Sequence, residues 1–229
     1  ALADEELLML HRDGIDAPIL KGPNTINNVV FARMASGIVR YARAQGFGLV
    51  VVGFDSRVQG RAFAELLASV FLGSGLTVRF FPAAVPYPEV LFAVNRLRAD
   101  LGVFISASHN DRRYNGFKIC GPTGAALGVL ERNEIYERYI AVARTADVPE
   151  LDFATLAKPP RFEVLGEEVH RAFLAHMRNF IADAALVGKV GPTLTIGYSA
   201  FHGAGGGTVP KIFDESGFKK LQVIRELFE

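Results

Sequence analysis

Leu101-Gly-Val-Phe-Ile-Ser-Ala-Ser-His-Asn-Asp-Arg-Arg-Tyr-Asn-Gly-Phe-Lys118 begins as an apolar, strand-like run. At Ser106 it opens into a loop crowded with hydroxyl, imidazole, amide and cationic groups. A buried strand that ends in such a loop holds reacting groups rigidly at a surface. The surrounding pattern predicts how that strand is housed. Asn28 to Gln45 reads as a helix with Val30, Met34, Ile38 and Tyr41 on one face, an Asn to cap it and Gly46 to stop it. Leu49-Val-Val-Val-Gly-Phe54 is a continuous β-branched run, as in strands covered on both faces. A helix over residues 61–73, a strand over 76–81 and a helix over 86–98 follow, and the strand ending at Ile105 comes next. A short strand is expected over 116–120, with Asn115-Gly116 as a tight turn that folds Lys118 back beside Ser108.

Strands that alternate with helices imply an α/β fold, a layered mixed sheet with flanking helices. The expected organisation is a first domain over residues 1–160, a connecting helix within 161–190 and the start of a second α/β domain over 191–229. Pro149 and Lys158-Pro-Pro160 mark the connection, and the connecting helix spans about 166–185. From Leu194 the strand, polar loop, helix, Gly turn, strand pattern starts again, which suggests a repeated βαβ unit. One such unit cannot cover both faces of a sheet, so the expectation is a truncated chain.

Composition limits the function classes. Of 229 residues half are hydrophobic and 21% are charged, enough for a substantial core. Twenty-five Lys and Arg nearly balance 24 Asp and Glu, which gives no electrostatic case for nucleic acid or an anionic membrane as partner. The one cysteine, Cys120, forbids an internal disulfide and reads as a small strand residue. No apolar run is long enough to cross a bilayer, and Ala1-Leu-Ala-Asp-Glu-Glu6 lacks the features of a signal peptide, so a cytoplasmic location is expected.

Local chemistry around Ser108 excludes some readings. Ser108 and His109 are adjacent, so their side chains diverge, and no Gly-x-Ser-x-Gly elbow surrounds the serine. A serine hydrolase is therefore the weakest reading. The surplus of cationic and amide donors suits a phosphoryl group, whose oxygens take several charge-assisted hydrogen bonds. A plain polar loop with a hairpin turn competes with it on these residues alone. Paired Arg112 and Arg113 read most simply as solvated charges, although their place near Ser108 allows phosphate contact. His170 and His176 do not have zinc-like spacing. Gly203-Ala-Gly-Gly-Gly207 lacks the endings of nucleotide-binding loops and reads as a tight turn into a helix near residues 208–216.

Read as a set, the motifs resemble a known family. Ser-Ala-Ser-His-Asn110, Tyr114-Asn-Gly-Phe-Lys118 and Gly121-Pro-Thr-Gly-Ala-Ala-Leu127 are similar to the phosphoserine region of the α-D-phosphohexomutases. These include phosphoglucomutases, phosphomannomutases and related phosphopentomutases. Gly53-Phe-Asp-Ser-Arg57, Pro86-Tyr-Pro-Glu-Val-Leu91 and Tyr198-Ser-Ala-Phe-His-Gly-Ala-Gly-Gly206 match further segments in the family's order. The resemblance implies that Ser108 carries a phosphoryl group and passes it to a hexose phosphate through a sugar bisphosphate. It implies Lys118 as proton donor and acceptor, which needs neighbouring cations to favour its neutral form, with His109 assisting. Asn110 would position the loop and Arg57 would support it electrostatically, and these two, with Arg112 and His202, would bind phosphate or substrate. Magnesium would be held through the Ser108 phosphoryl group, with glucose 1,6-bisphosphate as activator and the remaining domains of a longer protein as partners.

Two departures stand out. Asp111 follows the Asn where the family usually has Pro, and the N-terminal Gly-Thr-x-Gly-Arg-type loop is not recognisable around Asp16-Ala-Pro-Ile-Leu-Lys21. The family's Asp-x-Asp-x-Asp-Arg metal loop is not found in these residues either, so the expectation is an incomplete site with little turnover. The alternatives are a phosphopentomutase and a non-catalytic sugar-phosphate-binding fragment.

Overall fold

The computed structural model describes residues 14–142 and 152–224. The expectations for Ala1-Leu-Ala-Asp-Glu-Glu6 and Pro149 lie outside them. Among the described residues, eight strands and eight helices follow one another, beginning with β1 (Ile15–Pro18), α1 (Asn28–Gln45), β2 (Leu49–Phe54), α2 (Gly60–Gly73), β3 (Thr77–Phe80), α3 (Tyr87–Arg96), β4 (Leu101–Ile105) and β5 (Tyr114–Cys120). The remainder are α4 (Val129–Ile140), α5 (Phe153–Leu156), β6 (Phe162–Val164), α6 (Glu167–Arg178), α7 (Ala184–Val190), β7 (Thr195–Tyr198), α8 (Val209–Glu215) and β8 (Lys220–Val223).

Six strands form one mixed sheet in the order β1-β5-β4-β2-β3-β6. The strands β4, β2, β3 and β6 run parallel, while β5 is antiparallel to both β4 and β1. Because β6 pairs with β3, the first sheet extends past residue 160. Helices α1, α2 and α4 cover one face over a core that includes Val50, Val52, Val103, Ile105 and Phe117. Phe31 stacks on Phe63 at 4.5 Å and meets Phe117 edge-on at 5.5 Å. Helices α3 and α6 cover the other face over Val51, Phe104 and Cys120. Cys120 is 1% exposed, and burial pushes its thiol up to about 12.

Helix α1 shows how sequence chemistry sets boundaries. Asn27 Oδ1 accepts from the Val30 N–H at 3.0 Å, and Gly46 takes the left-handed conformation at φ 73 while its N–H bonds the last carbonyls. Two expectations are corrected. The Asn115-Gly116 pair is not a turn: both lie inside β5, where pairing with β1 overrides the local turn preference. Asn115 is fully buried and donates to the Val58 carbonyl at 3.0 Å, so the reversal falls instead on residues 110–113. The single helix over 166–185 is two helices. After Asn179 caps α6, the Asp183 carboxylate accepts from Leu186 N–H at 2.8 Å and starts α7 afresh.

From Thr195 the chain makes a second βαβ unit: β7 and β8 pair in parallel across α8, as β2 and β3 do across α2. A 3-10 turn over Ala204–Gly207 leads into α8. Gly205 sits so close to Tyr198 that an added Cβ would stand 2.7 Å from the phenol oxygen. No helix among the described residues is long and apolar enough to cross a membrane.

At Gly116 an added Cβ would lie 1.8 Å from the Ile15 carbonyl oxygen, on the β1–β5 pair. Gly116→Ala is expected to cost about 3 kcal/mol, at the upper end of overpacking effects. Urea unfolding followed by circular dichroism measures it, and an unchanged midpoint would contradict the close backbone approach.

Candidate functional site

Strands β2 and β4 lie side by side with Phe54 opposite Ile105, so the loops beyond them leave the same edge of the sheet. That carboxyl edge is where open α/β sheets place their ligand sites. Asp55 N–H donates to the Ile105 carbonyl at 3.0 Å, which locks the two loop origins together. Beyond Ile105, Ser106 and Ala107 stay buried, and Ser108 and His109 emerge as exposed residues. Ser108 adopts φ 56, a left-handed conformation that costs a non-glycine residue about 1 kcal/mol or more. Its N–H donates to Ser106 Oγ at 2.9 Å, and Ser106 in turn bonds the Asp55 carboxylate.

The strained loop is held from below by Arg57, whose side chain is 11% exposed. One terminal nitrogen donates to the carbonyls of Asp111 at 2.9 Å and Tyr114 at 3.0 Å. The other donates to Ser108 at 2.7 Å and Asn110 at 2.5 Å. Its Nε lies 3.5 Å from Asp55 without a hydrogen bond. With all four terminal N–H groups on loop carbonyls, Arg57 shapes the loop and is not placed as the phosphate ligand expected of it. A planar guanidinium can bind this way because its donors form a rigid fork, which a lysine cannot reproduce.

Asp55 is the part-buried acid of the site. Burial pushes its carboxyl above the usual carboxylate range, and the Ser106 hydroxyl, the Arg57 N–H, and the Arg57 and Lys118 charges oppose that. Lys118 stands on β5, on the face of the sheet that carries Phe104, with Nζ 5.1 Å from the centre of the Tyr87 ring. Tyr87 itself stacks on Phe104 at 5.1 Å. Ser108 Oγ and His109 Nδ1 are 3.5 Å apart, at the outer limit of a hydrogen bond, so the adjacent side chains do not diverge as expected.

Asn110 is turned to the edge strand: its Nδ2 donates to Asp16 Oδ1 at 3.0 Å. Asp111 makes a local turn, accepting from the Arg113 N–H at 2.9 Å and Arg113 Nε at 2.8 Å. That backbone N–H and then the guanidinium hold the Asp111 carboxyl below its ordinary value. The extra charge of Asp111 is therefore balanced chiefly by Arg113, and Arg112 is exposed in the same loop. From the second unit, the His202 carbonyl accepts a hydrogen bond from Ser56 Oγ, which brings residues 199–203 to the edge of the site. Ser106 is the positioning residue that sequence reasoning missed. A hydroxyl two residues before Ser108 was the available signal.

Magnesium needs several hard oxygen ligands. Here Asp16 holds Asn110, Asp55 holds Ser106, and Asp111 holds Arg113. No group of three or more His, Cys, Asp or Glu side chains able to hold a metal ion occurs among the described residues. The described residues do not build a magnesium site around Ser108.

Replacing Arg57 by Ala removes four charge-assisted bonds, two of them to part-buried carbonyls. A stability loss of about 3 kcal/mol is expected, with faster amide exchange at Asn110 and Tyr114. Urea titration and hydrogen exchange check it. A loss below about 1 kcal/mol would show that the fork does not support the loop.

Comparison with known proteins places this architecture. Residues 10–145 match the family described as phosphoglucomutase/phosphomannomutase, alpha/beta/alpha domain I. A phosphoglucomutase of Staphylococcus aureus (strain USA300) is 26% identical over 223 residues, which cover 96% of this chain and 39% of that protein. A Thermus thermophilus protein assigned as a phosphomannomutase superposes with a TM-score of 0.77 at 27% identity, over 97% of this chain and 48% of that one. The open form of parafusin from Paramecium shares the fold, with a TM-score of 0.70 at 14% identity over 95% of this chain and 46% of that one. The chain thus spans about two fifths of the curated relative's length. With the family match covering more than half of its residues, this chain belongs to the phosphoglucomutase/phosphomannomutase family.

Proposed function

We propose that this chain carries the phosphoserine portion of a phosphosugar mutase acting between the 1- and 6-positions of a hexose phosphate. The observation that carries the reading is the presentation of Ser108. Its hydroxyl stands exposed at the end of a buried strand, on a strained residue whose carbonyl and neighbours are fixed by Arg57. Sequestering a phosphoryl group on the enzyme makes both halves of the exchange effectively intramolecular.

In the first half-reaction a hydroxyl oxygen of the sugar phosphate attacks the phosphorus on Ser108. The bond from phosphorus to Ser108 Oγ breaks, the sugar proton passes to a base, and Ser108 Oγ takes up a proton as it leaves. In the second, Ser108 Oγ gives up its proton as it attacks the other phosphoryl group of the bisphosphate, and the released sugar oxygen takes up a proton. Lys118 is the proposed proton carrier, supported by its place on β5, paired with Phe104 on the strand that leads to Ser108. His109 and Arg112 are proposed as contacts to the incoming phosphate, supported by their exposure beside Ser108. Asn110 and His202 border the site through Asp16 and Ser56. Arg57 and Ser106 act on the loop instead.

Incubation with glucose 1,6-bisphosphate is expected to add one phosphoryl group, measured by intact mass, and Ser108→Ala abolishes it. Lys118→Met is expected to slow the uptake by about a hundredfold or more. A chain that stays unmodified, or that labels equally in Ser108→Ala, would overturn the assignment of Ser108. Equal rates for wild type and Lys118→Met would remove Lys118 from proton transfer.

A further inference from the structure

We propose that Glu89 is a positioning residue that ties the second βαβ unit to the Ser108 site through the first turn of α3, an inference that rests on the phosphosugar reading only for its effect on transfer. Glu89 has 0% exposure, and a carboxylate so fully withdrawn from water is costly unless hydrogen-bonded. Its two oxygens bond two different elements. His170 Nδ1, on α6, lies 2.8 Å from Oε1, and Thr208 Oγ1, at the N-terminus of α8, donates to Oε2 at 3.3 Å. The Nδ1–H of His170 can donate to the carboxylate whether the ring is neutral or charged. Thr208 is 3% exposed, so this contact is part of the packed interior.

The position of Glu89 gives the contact reach. Tyr87, two residues earlier on the same turn, is the ring under Lys118. Two ties thus flank the glycine-rich turn 203–207. At one end the His202 carbonyl receives Ser56 Oγ, next to the Arg57 that holds the Ser108 loop. At the other end Thr208 is held by Glu89. Glycines between two anchors have the freedom to swing if either anchor is lost. More distant ion pairs, Arg96 to Glu168 at 3.6 Å and Lys211 to Glu167 at 3.9 Å, are exposed and contribute weakly by comparison. Glu89 is therefore a buried polar contact shared by α3, α6 and α8.

Glu89→Gln keeps the shape of the side chain but removes its charge and one acceptor, and Thr208→Val removes only the α8 tie. In the full chain, hydrogen exchange by mass spectrometry is expected to show residues 203–216 exchanging at least tenfold faster in either variant. Amides of β2 and β4 stay unchanged, and the double variant adds little. Phosphoryl uptake at Ser108 from glucose 1,6-bisphosphate is expected to slow at least tenfold in Glu89→Gln, with an unchanged half-saturating concentration. Unchanged exchange at 203–216, or faster exchange across the whole chain, would overturn the positioning role. Faster local exchange with wild-type uptake would overturn its link to transfer. If wild-type protein takes up no phosphoryl group, the phosphosugar reading fails, and exchange alone still decides the structural tie.

Discussion

The guanidinium of Arg57 is the constraint on which the site depends. A loop that leaves a buried strand and doubles back within a few residues exposes carbonyls that no ladder can satisfy. Here Ser108, Asn110, Asp111 and Tyr114 all turn their carbonyls to one part-buried cation, and it answers each with an N–H. The arrangement stabilises the left-handed backbone at Ser108 and so sets where its hydroxyl stands. Asp55 offsets part of the charge of Arg57 and also anchors Ser106, so the loops after β2 and β4 form one hydrogen-bonded body.

The sheet supplies the rigid base for that body. Parallel pairing of β2 with β4 brings the two loops to the same edge, and antiparallel β5 carries Lys118 back along β4. Helix α3 adds the support beneath Lys118 through Tyr87 and reaches the second βαβ unit through Glu89. A fixed framework with a polar loop at its rim suits phosphoryl transfer, where catalysis is chiefly positioning and charge stabilisation. Family membership is consistent with this use of the fold, while the curated relatives that share it are longer than these 229 residues.

Much of this fold is legible in the residues themselves. The boundaries of α1 and β4 follow from strong local signals: an Asn cap, a glycine stop and an uninterrupted apolar run. Elements settled by distant partners are not legible in this way. Ile15–Pro18 is short and becomes a strand only because β5 accepts it, and the same pairing turns Asn115-Gly116 from a turn into a strand interior. Phe162–Val164 is equally short and depends on β3. Helix α4, over Val129–Ile140, has a weaker apolar stripe and buries only Ile135 and Tyr139. At the site, Ser108 and its neighbours stood out by composition. The support that Arg57 gives the loop followed only from the family resemblance, because an arginine motif by itself does not reveal whether its donors meet a ligand or the protein's own carbonyls.

The most direct test of the account compares the rate of Ser108 phosphorylation by glucose 1,6-bisphosphate in wild type and Arg57→Lys, at saturating bisphosphate. Lysine keeps the charge but not the fork. The account predicts a rate at least a hundredfold lower, with exchange in β2 and β4 unchanged. A wild-type rate in Arg57→Lys would contradict it, since charge alone would then suffice to present the serine.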